Sequence, residues 1–547
     1  MRRENYTPFL FDFLCALLIC FPILLQPTGK LLGSEQVDVW NHSWGAWWWS
    51  HQLSSGDVPW ETIFLKWPEG GVLWFIDPIA AAIGMPIALL STALSYNVVC
   101  FGYVVFASWS IRRFARVLGA PLMGEFIAAA AFACSGWMIS ELHNGISEAC
   151  NIGPAALALS FIEQAHRSQK WTDWIKAGAA IALCFVASPY LGLGTGLVAL
   201  VRSIPSIQKA WLGGIVSILL SLPTLLTMRA QLDHDAAIIK RPPGMNELLA
   251  LHNAVDPRTF IAPFGFQSRD LSHEGFYHTL YLGLVVLFLA AWSARKHKLW
   301  VSAALVSIVF ALGPYLYWGD TWVTMGEARL RLPWWFLQDA IPSLSITHPL
   351  RIGVPALAIA AAMAGASLQD FRIQRFGIPL LFAVFFDGLV LGGSPWPLQT
   401  ANAQIPEIYQ TIRDDTRTVG VLDLPTDTGS TMSASRYLYW QSYHNKPIPY
   451  SPDVRASTSS LLRYNSFRYL ASLCERRADE QAALGLRNQR PSSPKELFNA
   501  QIGWIVLHKE LDPKRTPALE AFLVKELGEG MQVGSTRAWK LDTPGRR

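Results

Sequence analysis

The chain has 547 residues, of which 51% are hydrophobic and only 16% charged, with 23 tryptophans and a formal net charge of +5. Soluble domains carry about 25% charged residues, so this composition excludes an ordinary soluble enzyme. The cations fall in short clusters between apolar runs, a pattern of membrane topology that argues against a nucleic-acid-binding face. Cys15, Cys20, Cys100, Cys134, Cys150 and Cys184 lie in or beside apolar segments and Cys474 stands alone in a polar tail, so there is neither a disulfide framework nor metal-finger spacing.

Met1-Arg2-Arg3 and the apolar run Phe9–Leu25 have the outline of a signal peptide, but no small-x-small cleavage site follows and many more apolar segments do. The run is therefore read as an uncleaved first span. The next stretch, Gly29–Phe75, is long for a connector and concentrates acids, histidines and tryptophans: Glu35, Asp38, Trp40, His42, Trp44, Trp47–Trp49, His51, Asp57, Trp60, Glu61, Trp67, Glu69 and Trp74. Indole rings favour the headgroup layer, so the tryptophans are expected to hold these carboxylates at the bilayer surface, where a lipid-borne substrate presents its head.

Further crossings are expected near Asn97–Ile111, Glu125–Ser140, Asn151–Gln164, Trp174–Ser188, Tyr190–Val201, Ala210–Met228, Thr279–Trp292, Leu299–Tyr317, Leu350–Leu368 and Phe376–Leu391, about eleven with the first. Ile76–Leu94 is interrupted by Pro78 and Pro86 and is read as re-entrant or surface-lying. Arg2/Arg3, Arg112/Arg113/Arg116, Arg167/Lys170/Lys176, Arg202/Lys209, Arg295/Lys296/Lys298 and Arg372/Arg375 then fall on one side, which sets the amino terminus inside. The expected architecture is an α-helical polytopic membrane domain over 1–392, with external loops 29–75 and 229–278, and an extracytoplasmic α/β domain over 393–547. Its strands are expected at Val419–Leu424, Ile502–Leu507 and Ala538–Leu541. Gly192-Leu-Gly194-Thr-Gly196 lies in an apolar stretch and suits helix packing.

An ionisable group at the bilayer centre costs about 2.5–3.5 kcal/mol on insertion scales, so chemistry is sought at the outer boundary. Asp38, with Glu35 and His42, follows the first span; Asp38 suits a general base or, equally, the cap of a helix beginning at Val39. His348 and Arg351 begin a late span, where the guanidinium fork suits a phosphate or simply snorkels. Glu141, His143, Asn144 and Glu148 lie between two spans and suit sugar hydroxyls, a cation or a plain turn. The stretch Arg229–His278, with Asp233, His234, Asp235, Asp256, Arg258, Asp270, His273 and Glu274, has no recognised ligand spacing and reads as a solvated loop.

Asp38-Val-Trp, Ser55-Gly-Asp-Val-Pro59, Trp67-Pro-Glu-Gly70, Glu141-Leu-His-Asn-Gly145, Asn253-Ala-Val-Asp256 before Tyr281-Leu-Gly283, Ser345-Ile-Thr-His-Pro-Leu-Arg351 and Val421-Leu-Asp-Leu-Pro425 together resemble the GT-C superfamily of polytopic membrane glycosyltransferases, in particular YfhO-type and related bacterial membrane proteins. The resemblance implies a multi-pass protein of the bacterial inner (cytoplasmic) membrane, a polyprenyl-phosphate sugar donor, an inverting displacement, and an extracytoplasmic glycan, lipid or protein acceptor. It implies Asp38 as the acid/base, with Glu35 as the neighbouring acid, and Arg351 as a phosphate contact; His348, His42, Glu148 and His143 are the accompanying substrate-binding candidates. The family often carries two adjacent acids in this loop; here they stand three apart, which leaves a divalent cation possible and no cofactor certain. The alternatives are a transporter of lipid-linked saccharide, with Asp387 as its proton site, and a non-catalytic accessory protein of the same shape.

Overall fold

The computed structural model describes residues 7–74, 77–239, 244–263, 276–319, 321–341, 347–427, 435–452, 460–476, 478–483 and 485–542. The Arg2/Arg3 cluster, Asp270, His273, Glu274 and Ser345-Ile346 lie outside the described residues.

Each expected apolar window holds a helix. In chain order they are α1 (Thr7–Cys20), then a first-loop helix α2 (Val39–Ser54), a short α3 (Pro78–Ala88), α4 (Thr92–Val117), and α5 (Leu122–Ala133) continuing after a break into α6 (Gly136–Asn144). Then come the single turn α7 (Ser147–Cys150), α8 (Gly153–Ser168), α9 (Trp171–Ala187), α10 (Pro189–Ser203), α11 (Ile207–Leu232), α12 (Leu284–Ser293), α13 (Lys298–Ala311), α14 (Val354–Ser367) and α15 (Gly377–Phe386). By length and composition, four helical stretches among the described residues are long and apolar enough to cross a membrane: Thr92–Val117, Leu122–Asn144, Pro189–Gln231 and Pro349–Ser367. The third contains the turn Ile204–Ser206 that separates α10 from α11. α3 has 11 residues, about 16 Å of helix against a hydrocarbon layer of about 30 Å, too short to cross.

α14 is buried along its whole length. Its run of alanines lets neighbours approach closely, and Gly365 faces Gly124 of α5 so tightly that a Cβ on either would meet the other's carbonyl oxygen within 2.4 Å. α11 does the reverse and exposes Ile215, Ile218, Leu219, Leu220, Leu225 and Leu226, a contiguous apolar surface of the kind that faces lipid. Gly192 and Gly194 of α10 abut Phe185 and Ile352, the helix-packing role expected of them.

Two clusters inside the bundle pair their charges. Arg112 Nη2 lies 2.5 Å from Asp12 Oδ2 and Arg112 Nη1 3.3 Å from Glu125 Oε2; Arg202 Nη2 lies 2.6 Å from Glu163 Oε2, which also accepts from Trp300 Nε1. Both clusters sit at one end of the bundle, at the carboxy-terminal ends of α4, α8 and α10. Asp387, the expected proton site of a transporter, is committed to structure: it accepts from Tyr281 Oη at 2.7 Å and from the first-turn amide of Val285 in α12 at 2.8 Å. Asp387→Asn and Tyr281→Phe should each lower stability by about 1–2 kcal/mol through loss of this cap, read as a lower melting temperature in detergent, with no ion-coupled flux to lose in proteoliposomes.

After the bundle the chain builds a small sheet unit. A ladder of β1 (Lys30–Leu32) and β2 (Thr400–Asn402), antiparallel, ties it to the first loop. Four strands, β3 (Gly420–Leu424), β4 (Ile502–His508), β5 (Met531–Val533) and β6 (Thr536–Lys540), form a sheet of order β5-β6-β4-β3, parallel only between β3 and β4. β3 and β4 are buried at every residue, as continuous apolar runs require. Helices α16 (Ile408–Asp414), α17 (Arg436–His444), α18 (Asn465–Cys474) and α19 (Thr516–Leu527) accompany them.

Three of the first-loop tryptophans expected at a headgroup layer are buried in protein. Trp40, Trp44 and Trp48 recur every four residues on one face of α2 and are buried: Trp44 Nε1 donates to Gln441 Oε1 of α17 at 3.0 Å, Trp40 packs on Tyr439 at 5.6 Å, and Trp48 stacks on Trp44 at 5.1 Å. Backbone bonds Lys66 N to Tyr450 O, Trp67 N to Ile448 O and Ile448 N to Phe64 O complete the seam. An amphipathic indole buries as readily against protein as against lipid, and here protein is the partner.

Within the sheet unit, Tyr409 Oη lies 2.5 Å from Asp423 Oδ1 and 3.0 Å from His508 Nε2, and His444 stacks on Tyr409. Burial pushes His444 down to about 4. A depressed histidine contributes stability that is full above its unfolded value of about 6.5 and is lost as pH falls towards 4, a difference of about 3 kcal/mol. Melting of the sheet unit should therefore drop steeply between pH 6.5 and 4, and His444→Phe should flatten that slope.

Candidate functional site

The start of α2 is fixed by the hairpin between α6 and α7. Ser34 N donates to His143 O at 2.9 Å and Asp38 N to Asn144 O at 3.1 Å. Gly145 ends α6 with φ +72°, and a Cβ there would meet Val39 Cα and N at 2.5 Å, so only glycine permits the two segments to touch. Asn144 in turn holds the backbone of Tyr277 in both directions, at 2.6 and 2.9 Å.

Four separate parts of the chain converge just inside this contact. His42 Nδ1 lies 2.9 Å from Ser147 Oγ and 3.5 Å from Glu148 Oε2. The Ser147 hydroxyl donates to Asp77 Oδ2, while Asp77 Oδ1 caps α3 by accepting from Ala80 N at 2.9 Å. Arg351 Nη1 lies 2.8 Å from Glu148 Oε1, with its guanidinium over the Tyr190 ring at 5.3 Å. Burial, reinforced by the Glu148 charge, pushes Asp77 up to about 7. Beside this cluster Glu141 Oε1 lies 3.0 Å from His278 Nδ1.

The expected site residues thus separate into layers. Glu35 is exposed and lies 3.4 Å from Arg436 of α17. Asp38 is half-buried at the cap position of α2, yet its side chain makes no capping bond; Asn41 Nδ2 donates to Asp38 Oδ1 at 3.3 Å. His42, one turn further on, and Glu148 and Arg351 form the buried layer. His143 is buried edge-on to Tyr277, and His348 is half-buried against Tyr190 and Thr347. Arg351, the expected phosphate contact, is buried and paired with Glu148. Asp77, Ser147, Tyr190, His278 and Arg436 were not singled out from the sequence. For Asp77 a signal existed: Asp followed by Pro is a helix start.

His42, Asp77 and Glu148 each offer a ligand atom, all within 4.8 Å of one another. Among the described residues Glu148 Oε2 is buried with no hydrogen bond, while its Oε1 is taken by Arg351. This donor set, two hard oxygens and one imidazole, fits a divalent cation.

No protein-family model and no curated protein matches the sequence. Solved structures do match in shape. The arabinofuranosyltransferase AftD from Mycobacteria aligns over 99% of this chain and 40% of its own, at 14% identity and TM-score 0.55. The Archaeoglobus fulgidus oligosaccharyltransferase tethered to an acceptor peptide aligns over 96% of this chain and 71% of its own, at 12% identity and TM-score 0.51. The fold is GT-C-like. The same archaeal enzyme, AglB, in complex with an inhibitory peptide and a dolichol-phosphate, matches with TM-score 0.50 at 11% identity over 96% of this chain. Within a GT-C-like frame, the bundle and the carboxy-terminal sheet unit have the shape expected from the sequence, while the chain spans only 40% of the length of AftD.

Proposed function

We propose that this is an integral-membrane glycosyltransferase that moves a sugar from a polyprenyl-phosphate donor to an acceptor on the side of the membrane facing the sheet unit. The observation that carries the reading is the convergence of α2, Asp77, α7 and the start of the Pro349–Gly353 turn on one buried polar cluster, directly under the helix start that bears Asp38. A stable fold does not need four ionisable groups there, and burying them is costly. The Arg112 and Arg202 clusters mark the opposite end, which the cation bias assigns to the cytoplasm.

In the reaction, an acceptor hydroxyl attacks the anomeric carbon from the face opposite the phosphate. Its oxygen–carbon bond forms as the carbon–phosphate oxygen bond breaks, the configuration inverts, the hydroxyl proton passes to Asp38, and the polyprenyl phosphate leaves with the electron pair. His42 and Glu148 fix the first turn of α2 and hence Asp38; Arg351 holds Glu148 through its ion pair at 2.8 Å. When bound at His42, Asp77 and Glu148, a divalent cation would supply charge neutralisation for the phosphate. Asp387 is spent on capping α12, which removes the transporter's main residue.

The test is transfer of labelled sugar from polyprenyl-phosphate sugars by the purified protein in proteoliposomes, before and after chelation. Activity is expected to fall with EDTA and to return with Mn²⁺ or Mg²⁺. Activity indifferent to chelation would remove the cation, and no transfer from any polyprenyl-phosphate sugar would remove the function.

A further inference from the structure

We propose that Arg436, contributed by the sheet unit, is the group that binds the donor's phosphate; this rests on the transferase reading above. Arg351, Arg258 and Arg436 differ in how much of their charge is already used. Arg351 is buried, its side chain 5% exposed, and pairs with Glu148 at 2.8 Å. Arg258 is bound at Nε and Nη2 by the carboxylate of Asp256 and leans on Trp318. Arg436 is held far less: one Nη2 contact to exposed Glu35 at 3.4 Å, and a buried Nε with no hydrogen bond among the described residues.

Its guanidinium is nevertheless positioned, lying over the rings of Trp40 at 5.0 Å and Trp440 at 6.0 Å. Stacking fixes the plane of a guanidinium while leaving its N–H edge for a bidentate oxyanion. Trp40 belongs to the first turn of α2, two residues beyond Asp38, and its Nε1 donates to Glu35 O at 2.9 Å. Arg436 and Glu35 therefore gather at the first turn of α2 beside Asp38, with Glu35 as the place-holding anion that an arriving phosphate displaces. This also gives a reason for the extensive seam between α2 and α17: the sheet unit delivers a cation to a site whose acids come from the membrane bundle.

The experiment measures binding of undecaprenyl phosphate to the full chain in lipid nanodiscs, with undecaprenol and inorganic phosphate as comparison ligands. Arg436→Gln should weaken undecaprenyl phosphate binding about tenfold or more, as expected for a lost charged hydrogen bond. Arg436→Lys should lose less, and Glu35→Gln should tighten binding by removing the competitor. Undecaprenol should bind alike in all variants. Inorganic phosphate binding that is lost in Arg436→Gln would support the phosphate site with free phosphate as its source. If wild type binds undecaprenyl phosphate and neither Arg436→Gln nor Glu35→Gln changes the affinity, the assignment of Arg436 is overturned and the transferase reading stands. If wild type does not bind undecaprenyl phosphate at all, the donor reading fails and this assignment with it.

Discussion

Asp38→Asn should lower sugar transfer by about 10²–10⁴-fold, the usual contribution of a positioned general base, while leaving the melting temperature and membrane insertion unchanged. The separation between the two readouts follows from the geometry. Asn is as good as Asp at a helix start, the carboxylate makes no capping bond in any case, and an Asn carbonyl can still accept from Asn41 Nδ2. What the substitution removes is the capacity to take a proton. Glu35→Gln, by contrast, should leave the rate of the chemical step nearly intact, because Glu35 is exposed and its partner is Arg436. Steady-state rates and a melting curve on the same preparations check this pair, and unchanged transfer in Asp38→Asn would move the base elsewhere.

Arg351→Met should destabilise the protein by about 3–5 kcal/mol, the cost of leaving a buried carboxylate without its cation. The stranded group is Glu148, only 2% exposed, which sits between Arg351 at 2.8 Å and His42 at 3.5 Å. The double variant Arg351→Met with Glu148→Gln should recover much of that stability, since the charge is gone with its partner, and should recover none of the transfer activity, since His42 and the first turn of α2 lose their anchor. A stability loss without rescue in the double variant would mean that Arg351 acts through packing on Tyr190. Thermal unfolding in detergent, at one scan rate for all variants, provides the comparison.

The bundle was legible because spans are written in contiguous residues: a run such as Val354–Leu368 declares its length and apolarity without reference to anything distant. β3, β4 and β6 were legible for the same reason. The candidate site was legible in part. Asp38, His42, Glu148 and Arg351 were visible as polar groups at span boundaries, where an ionisable residue needs a reason. Their pairing was not visible, because Arg351 and Glu148 stand 203 positions apart and nothing local says which acid a buried guanidinium will choose. Asp77 stands at the start of an apolar segment, where its only local signal is the Asp-Pro helix start, and its partners Ser147 and Glu148 lie about 70 positions away. The spacing of Trp40, Trp44 and Trp48 shows that they share a face but not its partner, because an indole face is equally content against lipid or against α17.

The most direct test of the account is a cryo-electron microscopy structure of the full chain with undecaprenyl phosphate in a nanodisc. Phosphate density is expected at the first turn of α2, within hydrogen-bonding distance of Arg436 and beside Asp38, with the polyprenyl chain leading into the bilayer. Phosphate density at the opposite end of the bundle, beside Arg112 and Arg202, or Asp38 turned into packed protein away from the phosphate, would contradict it.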